Sequence, residues 1–354
     1  MHLVGLQAEN FRNFSTVQLS FAKHTNLITG SNGSGKSNLI ELIYYALFSR
    51  SFKTSEDMNL LHWKESYLRT QIEFQRDGVD KTVVVSFNSN KEKKVLLNNI
   101  PEKFSVLFRE SSVIVFSPST SQLVKGLPSV RRKWLDRILV RVDREFTSIL
   151  YSYQQTLRNR NALIKRKLIQ KEDYDLYDLL TTNLVSLSSL IRKGRQDLIK
   201  MINAVISPTV SKMDLPMFSS IELKYYHSRM MEDPSLLAKE EIKRGGTLIG
   251  AHLDQIEIFH GDASVRDFSS EGEQKLISFC LKLCEFDLIQ VKTKNSPVCL
   301  IDDLFSELDE DRAQLLFKYV SSVSQTIFTD LTGRLIEADK VIPLTREENT
   351  ICLP

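Results

Sequence analysis

The sequence predicts an α/β fold in which a mixed sheet is interrupted by a mainly helical insert. Three observations carry that expectation. A glycine-rich turn, Gly30 to Ser37, joins an apolar strand to an apolar helix. The run Val298-Cys299-Leu300-Ile301 has the continuous apolar character of a strand covered on both faces, and it ends on Asp302-Asp303. Between these two, from Ser129 to about Val205, the pattern becomes helical.

Taken in order, residues 2–30 read as three short strands, the last being Thr25–Thr29 before Gly30. Lys36 to about Phe48 reads as a helix with Leu39, Ile40, Leu42, Ile43, Ala46 and Leu47 on its apolar side. Residues 66–116 are strand-rich, with Leu68–Phe74 and Thr82–Phe87 flanking the turn-like Arg76-Asp77-Gly78. Beyond Pro128, the residues Leu135, Ile138, Leu139, Val142, Phe146, Ile149, Leu150 and Tyr153 recur at helical spacing. A second helix covers about 174–205, and Pro208 and Pro216 punctuate the stretch beyond it. Strands return at Ser220–Tyr226 and Gln255–Phe259, then a buried helix at about Glu271–Gln290. The strand at 298–301, a helix at about 309–322 and a strand at Gln325–Phe328 complete the pattern. The expected partition is 1–127 and 246–354 as two parts of one domain, with 128–245 as the helical insert.

Composition excludes several classes. The chain has 354 residues, of which 42% are hydrophobic and 26% charged, so it can bury a core. Only 13 Gly and 4 Cys argue against a collagen-like chain or a disulfide scaffold. The opening residues lack the basic and apolar regions of a signal peptide. No window reaches the roughly 18 apolar residues of a membrane span. A cytoplasmic protein is expected. Cys280 and Cys284, one helical turn apart in an apolar run, read as core residues.

Gly30-Ser31-Asn32-Gly33-Ser34-Gly35-Lys36-Ser37 fits G-x-x-x-x-G-K-[ST]. Glycines let the backbone turn its N–H groups inward, and the helix amino end adds partial positive charge, so the turn cradles phosphate. Lys36 reaches the outer phosphates of ATP and Ser37 offers its hydroxyl to Mg²⁺. A magnesium-directing acid is required on a neighbouring strand, and Asp302 supplies it. Asp303 beside it is the candidate to polarise the attacking water. Upstream, Ser269-Ser270-Glu271-Gly272-Glu273 opens the helix at 271, where a serine and acids suit a helix start.

These motifs, in this order, resemble the head domains of ABC-type ATPases. Ser270-Glu271-Gly272-Glu273 is similar to their signature, with Glu271 in place of the first glycine. Ser306-Glu307-Leu308-Asp309 is similar to the D-loop. More narrowly, the chain resembles the RecF family of recombination mediators. That likeness rests on Asn10-Phe11-Arg12-Asn13, on Gly126-Leu127-Pro128-Ser129-Val130-Arg131-Arg132-Lys133-Trp134-Leu135-Asp136, on Arg158 to Lys165 and on Asp302-Asp303, and it spans about residues 3–345. Two stretches depart from the family pattern. Ser119 and Thr120 stand where acids are usual, and Ala251 and Leu253 stand where Pro and Arg are usual.

The resemblance implies a P-loop ABC-type head that binds ATP and Mg²⁺. Two copies would sandwich the nucleotide, with Ser270 and Gly272 of one facing Lys36 of the other, and Asp309 also contributing. Thr329 and Asp330 would form the phosphate-sensing loop. It further implies binding of single- and double-stranded DNA at gaps, weak DNA-stimulated ATP hydrolysis, recombinase loading with RecR and RecO, and a link to the SOS response.

Charge distribution adds to this. Residues 125–171 hold thirteen basic and three acidic residues, an excess of ten in a chain whose total is +3. A basic helical block suits a phosphate backbone. Arg131, Arg132 and Lys133 are its leading candidates. Trp134, Tyr151 and Tyr153 read as packing residues. The alternative is the ATPase subunit of an ABC transporter. In such subunits the loop and signature lie far closer than the 233 residues between Ser37 and Ser270, and no basic insert separates them. A clamp of the SMC type would show sustained heptads, and a small-molecule kinase would leave the motifs at 270 and 306 unexplained.

Overall fold

The computed structural model describes residues 1–166, 171–212, 214–228, 234–303, 310–329, 337–344 and 350–353. The chain divides into two compact units. One comprises Met1–Thr120, Lys212–Asp214 and Ile289–Pro354; the other comprises Ser121–Ser211 and Leu215–Leu288. The segment 246–288, which the sequence partition grouped with the carboxy-terminal part of the ATPase domain, falls with the helices.

The first unit is built on two sheets. Strands β1 (His2–Phe11), β2 (Phe14–Ser20), β4 (Tyr67–Arg76), β5 (Val79–Asn88), β6 (Lys93–Leu97), β7 (Ile100–Pro101) and β15 (Thr350–Leu353) form a seven-stranded sheet in the order β15-β2-β1-β4-β5-β6-β7. Only the β15–β2 pairing is parallel. Between β4 and β5 the turn is Asp77-Gly78, both at positive φ (54° and 77°). This is the backbone a two-residue hairpin demands, and glycine and aspartate tolerate it. The second sheet is wholly parallel, in the order β14-β3-β13-β12-β8, from β3 (Thr25–Gly30), β8 (Val113–Phe116), β12 (Val298–Ile301), β13 (Thr326–Thr329) and β14 (Lys340–Leu344). All four residues of β12 are buried, as a strand covered on both faces requires.

Helix α1 (Lys36–Phe48) contacts strands of both sheets, β4 and β5 on one hand and β3 and β13 on the other. Every residue from Leu39 to Phe48 is buried. The one-sided apolar pattern expected from sequence is therefore too modest. With sheets on both sides, Tyr44, Tyr45 and even Glu41 are enclosed as well. Helices α2 (Phe104–Glu110) and α10 (Glu310–Val323) complete this unit.

The second unit holds α3 (Gln122–Lys125), α4 (Pro128–Val142), α5 (Arg144–Lys165), α6 (Lys171–Lys212), α7 (Pro234–Arg244), α8 (Val265–Phe268) and α9 (Glu271–Thr293), with a small sheet β11-β10-β9 from β9 (Ile221–Tyr226), β10 (Gln255–His260) and β11 (Ala263–Ser264). Pro128 sits in the first turn of α4, where its missing N–H costs nothing. Asp143 caps α5 by accepting from the N–H groups of Glu145 and Phe146. Pro208 does not end the preceding helix as expected; it lies inside α6. Burial explains this: Ile206, Thr209 and Val210 are each at most 1% exposed, so packing outweighs the missing hydrogen bond. A buried ionic cluster ties α5 to α7, where Arg160 donates to Glu241, Thr247 and Tyr177, all buried.

Candidate nucleotide site

In the parallel sheet the carboxyl ends of β3, β13 and β12 lie side by side, and each carries a residue of the site. Gly30 ends β3 and opens the loop. Thr329 ends β13. Asp302 and Asp303 come directly after β12. Ligands of open parallel sheets bind at this edge because the loops and helix amino ends gather there.

The loop itself is shaped by its glycines. Gly30, Gly33 and Gly35 have φ of 150°, 80° and 103°. At Gly35 a Cβ would lie 2.6 Å from the Asn13 amide and 2.9 Å from the Phe14 ring, so only glycine fits. Among the described residues no side chain caps α1, which leaves its amino end available to an anion. The Lys36 ammonium donates to the carbonyls of Gly30 (2.5 Å) and Ser31 (3.1 Å), folded over its own loop. Ser34 is buried and its hydroxyl has no partner among the described residues; a Cβ added at Gly30 would lie 2.6 Å from it. Ser31, Asn32 and Gly33 are exposed at the rim.

Across the sheet edge the Ser37 hydroxyl donates to Asp302 at 2.7 Å. Asp302 is 3% exposed, and Thr329 also reaches it, at 3.5 Å. A hydroxyl and a carboxylate are hard oxygen donors of the kind Mg²⁺ takes when substrate phosphates and water complete its shell, so these residues fit that ion. Asp303 adopts φ 54°, the left-handed region that aspartate tolerates, and its N–H donates to the Thr329 hydroxyl at 2.8 Å. The segment Ser306-Glu307-Leu308-Asp309 and Asp330 lie outside the described residues.

Two groups were not legible from sequence. Lys53 donates to the Ser37 carbonyl at 2.9 Å and pairs with Asp302 at 3.6 Å. No motif marks it, because its place depends on where the chain goes after α1. Beside the loop, an open pocket of about 420 Å³ is lined by Arg12, Asn13, Asn38, Leu61, His62 and Trp63. Arg12 is held there by two bonds to buried Glu41, at 2.9 and 3.0 Å. Asn13 accepts from Asn38 at 2.8 Å.

Ser270 and Glu273 form a reciprocal capping box. The Ser270 N–H and hydroxyl both donate to the Glu273 carboxylate at 2.8 Å, and the Glu273 N–H returns to the hydroxyl at 3.3 Å. Gly272 is exposed, and a Cβ there would meet nothing within 4 Å among the described residues. Glu271 pairs with Lys125 at 2.6 Å, and this pair holds its carboxyl below the usual range.

The basic block divides sharply. Arg131 is 4% exposed, and its guanidinium is consumed by the carbonyls of Ile256, Leu123, Val124 and Gly126. It cannot meet a phosphate backbone, which corrects the sequence expectation. Arg132 is half-buried and donates to the Asp254 carbonyl at 2.6 Å. Lys133 is exposed, as are Arg137 and Arg144. The loop carrying Ala251 and Leu253 is a structural knot: Asp254 accepts from Arg192 twice at 2.9 Å, from Tyr225 at 2.6 Å and from the Ser228 N–H at 2.7 Å. Ser119 bonds Ser117 and Thr120 caps the same turn, so the second departure is also a local turn device.

Comparison with known proteins decides the family. The RecF/RecN/SMC N-terminal domain profile matches residues 2–352. The DNA replication and repair protein RecF of Lactobacillus johnsonii is 30% identical over 351 residues, covering 94% of each chain. The chain belongs to the RecF family. RecF of Bacillus mycoides is 31% identical over 352 residues, covering 95% of this chain and 94% of its own. Among solved structures, one described as the recombination mediator protein RecF–ATP in the RecFOR pathway superposes with a TM-score of 0.87 at 27% identity, covering 97% and 95%. An SMC head bound to a winged-helix domain of ScpA shares the fold, with a TM-score of 0.55 at 19% identity. End-to-end similarity to RecF leaves the transporter-subunit alternative without support.

Proposed function

We propose that the chain is an ATP-dependent DNA-binding protein of replication and recombinational repair, acting in the cytoplasm and linked to the SOS response. The observation that carries the reading is the meeting of Ser37 and Asp302 at the edge of a phosphate loop, in a chain similar to RecF from end to end. In this reading Gly30 to Ser37 hold the phosphates of ATP, and Lys36 turns from its own loop carbonyls to the outer phosphates. Ser37 and Asp302 hold Mg²⁺, which draws charge from the phosphates when bound. Asp303 orients and deprotonates water. The pocket lined by Arg12, His62 and Trp63 is the right size for a nucleoside and adjoins the loop through Asn38.

Ser270, Gly272 and Asp309 complete the site of a second copy, so that ATP joins two chains and hydrolysis parts them. Open space at Gly272 supports this, since close approach by another chain needs a bare backbone. DNA, single- or double-stranded and gapped, contacts Lys133 with Arg137 and Arg144 in place of Arg131. RecR and RecO are the expected mediator partners. Among the described residues no helix is long and apolar enough to cross a membrane.

ATP hydrolysis measured with and without gapped DNA tests the reading. Slow turnover that rises on gapped DNA is expected. Absence of nucleotide binding by calorimetry, or absence of DNA affinity at low salt, overturns it.

A further inference from the structure

Asp302 is a buried carboxylate, and such a group is stable only with a compensating cation. Among the described residues the cation paired with it is Lys53, whose ammonium lies 3.6 Å from Oδ2 and donates to the Ser37 carbonyl at 2.9 Å. Lys36, the ammonium of the phosphate loop, is directed at the carbonyls of Gly30 and Ser31. One lysine thus serves the phosphate loop, and the other serves the carboxylate that the proposed function assigns to the metal.

Resting on that assignment, we infer that Lys53 is an internal competitor for the divalent cation, which must displace it from Asp302 to bind. Two cations cannot share one carboxylate without repulsion, so whatever Lys53 contributes to Asp302 is subtracted from the affinity for the ion. The geometry suits an exchange. The backbone bearing Lys53 is fixed: the Ser51 hydroxyl accepts from the N–H groups of Lys53 (2.8 Å) and Thr54 (3.0 Å) and donates to Glu41. Glu41 in turn is clamped by Arg12. The Lys53 side chain, by contrast, is 30% exposed, so its ammonium can leave for solvent on a flexible stem while the loop stays in place. The arrangement keeps the acid neutralised before nucleotide arrives and favours ions delivered with phosphates over free ions.

Mn²⁺ titration of the nucleotide-free full chain, followed by the electron paramagnetic resonance of the free ion, tests this. Lys53→Met is expected to tighten Mn²⁺ binding at least about tenfold, since removal of a unit charge next to the site relieves a repulsion of that order or more. Lys53→Arg, which keeps the charge, is expected to bind like the unsubstituted chain and shows that the site survives substitution. The gain must disappear in Lys53→Met combined with Asp302→Asn. Equal, weaker or undetectable Mn²⁺ binding by Lys53→Met overturns the inference, as does a gain that persists without the Asp302 carboxylate. Asp302→Asn alone separates the two levels. If it leaves Mn²⁺ binding in the presence of ATP unchanged, the metal assignment itself fails; if it abolishes that binding while Lys53→Met gains nothing, only the role of Lys53 fails.

Discussion

The Ser37 hydroxyl donates to Asp302 at 2.7 Å although 265 residues separate them in the chain. The parallel sheet brings them together. Strand β13 stands between β3 and β12, and its last residue, Thr329, touches both Asp302 and the N–H of Asp303. The site is therefore assembled from three strand ends rather than from any contiguous segment.

In the proposed function that assembly divides phosphate binding from metal binding. Asp302→Asn keeps the shape of the side chain but removes its charge. Nucleotide affinity without Mg²⁺ should be unchanged or slightly raised, since an anion is removed from beside the phosphates. The tightening that Mg²⁺ brings should fall at least about tenfold, the worth of a bond to a charged group. Calorimetric titration of a hydrolysis-resistant ATP analogue, with Mg²⁺ and with chelator, distinguishes the two. Equal loss in both conditions would show that Asp302 supports the loop and not the ion.

Arg131 and Lys133 are near neighbours with opposite burial, and they should fail differently. Arg131→Ala leaves four carbonyls without their donor in a buried place and should destabilise the fold by about 3 kcal/mol or more. Lys133→Glu and Arg137→Glu change exposed positions and should shift stability by no more than about 0.5 kcal/mol. They should instead weaken DNA binding and lower the slope of log affinity against log salt by roughly one for each phosphate no longer neutralised. Thermal melts and anisotropy titrations at several salt concentrations read both effects.

Arg131 and Lys133 stand out in the sequence by charge, and charge alone does not report burial. The strands, α1 and the loop were legible because glycine spacing and apolar runs are local signals. Helix α7 and the short α2 escaped because neither carries a long apolar period. Lys53 escaped because nothing near it in sequence marks it; only the course of the chain after Ser49, at φ 54°, returns it to Asp302. The extent of α6 beyond Pro208 is not legible in the sequence because the rule that proline ends helices is a propensity, and buried neighbours on both sides override it.

Asp254 offers a test by pH. Hydrogen bonds from Arg192, Ser228 and Tyr225 outweigh the desolvation that opposes ionisation, and they hold its carboxyl at about 2, against an ordinary value of 3.8. A depressed value means that the unfolded chain takes up the proton first. The stabilisation is complete above about pH 5 and is lost as pH falls through about 4 towards 2. Its size at neutral pH is about 2 kcal/mol. The stability difference between the unsubstituted chain and Asp254→Asn, measured by urea unfolding from about pH 6 down to about pH 2.5, should therefore shrink on acidification. A difference independent of pH would remove the charge from this account.

Ser270 carries two duties in the proposed mechanism, and one substitution separates them. Within the chain it caps α9 through its reciprocal bonds with Glu273. Between chains, the proposed function has it face the outer phosphate of ATP. Aspartate is as good a helix cap as serine, so Ser270→Asp keeps α9 supported through its first-turn N–H groups. Its carboxylate adds repulsion against Glu273 and against any phosphate brought near. The melting temperature should change by only a few degrees, the counterpart of about 1 kcal/mol or less in a chain of this size. Dimer formation with a hydrolysis-resistant ATP analogue, followed by analytical ultracentrifugation, should be abolished, while the monomer still binds the analogue through Lys36. A dimer that forms as readily as in the unsubstituted chain would leave Ser270 as a helix cap alone and remove the signature from the nucleotide interface.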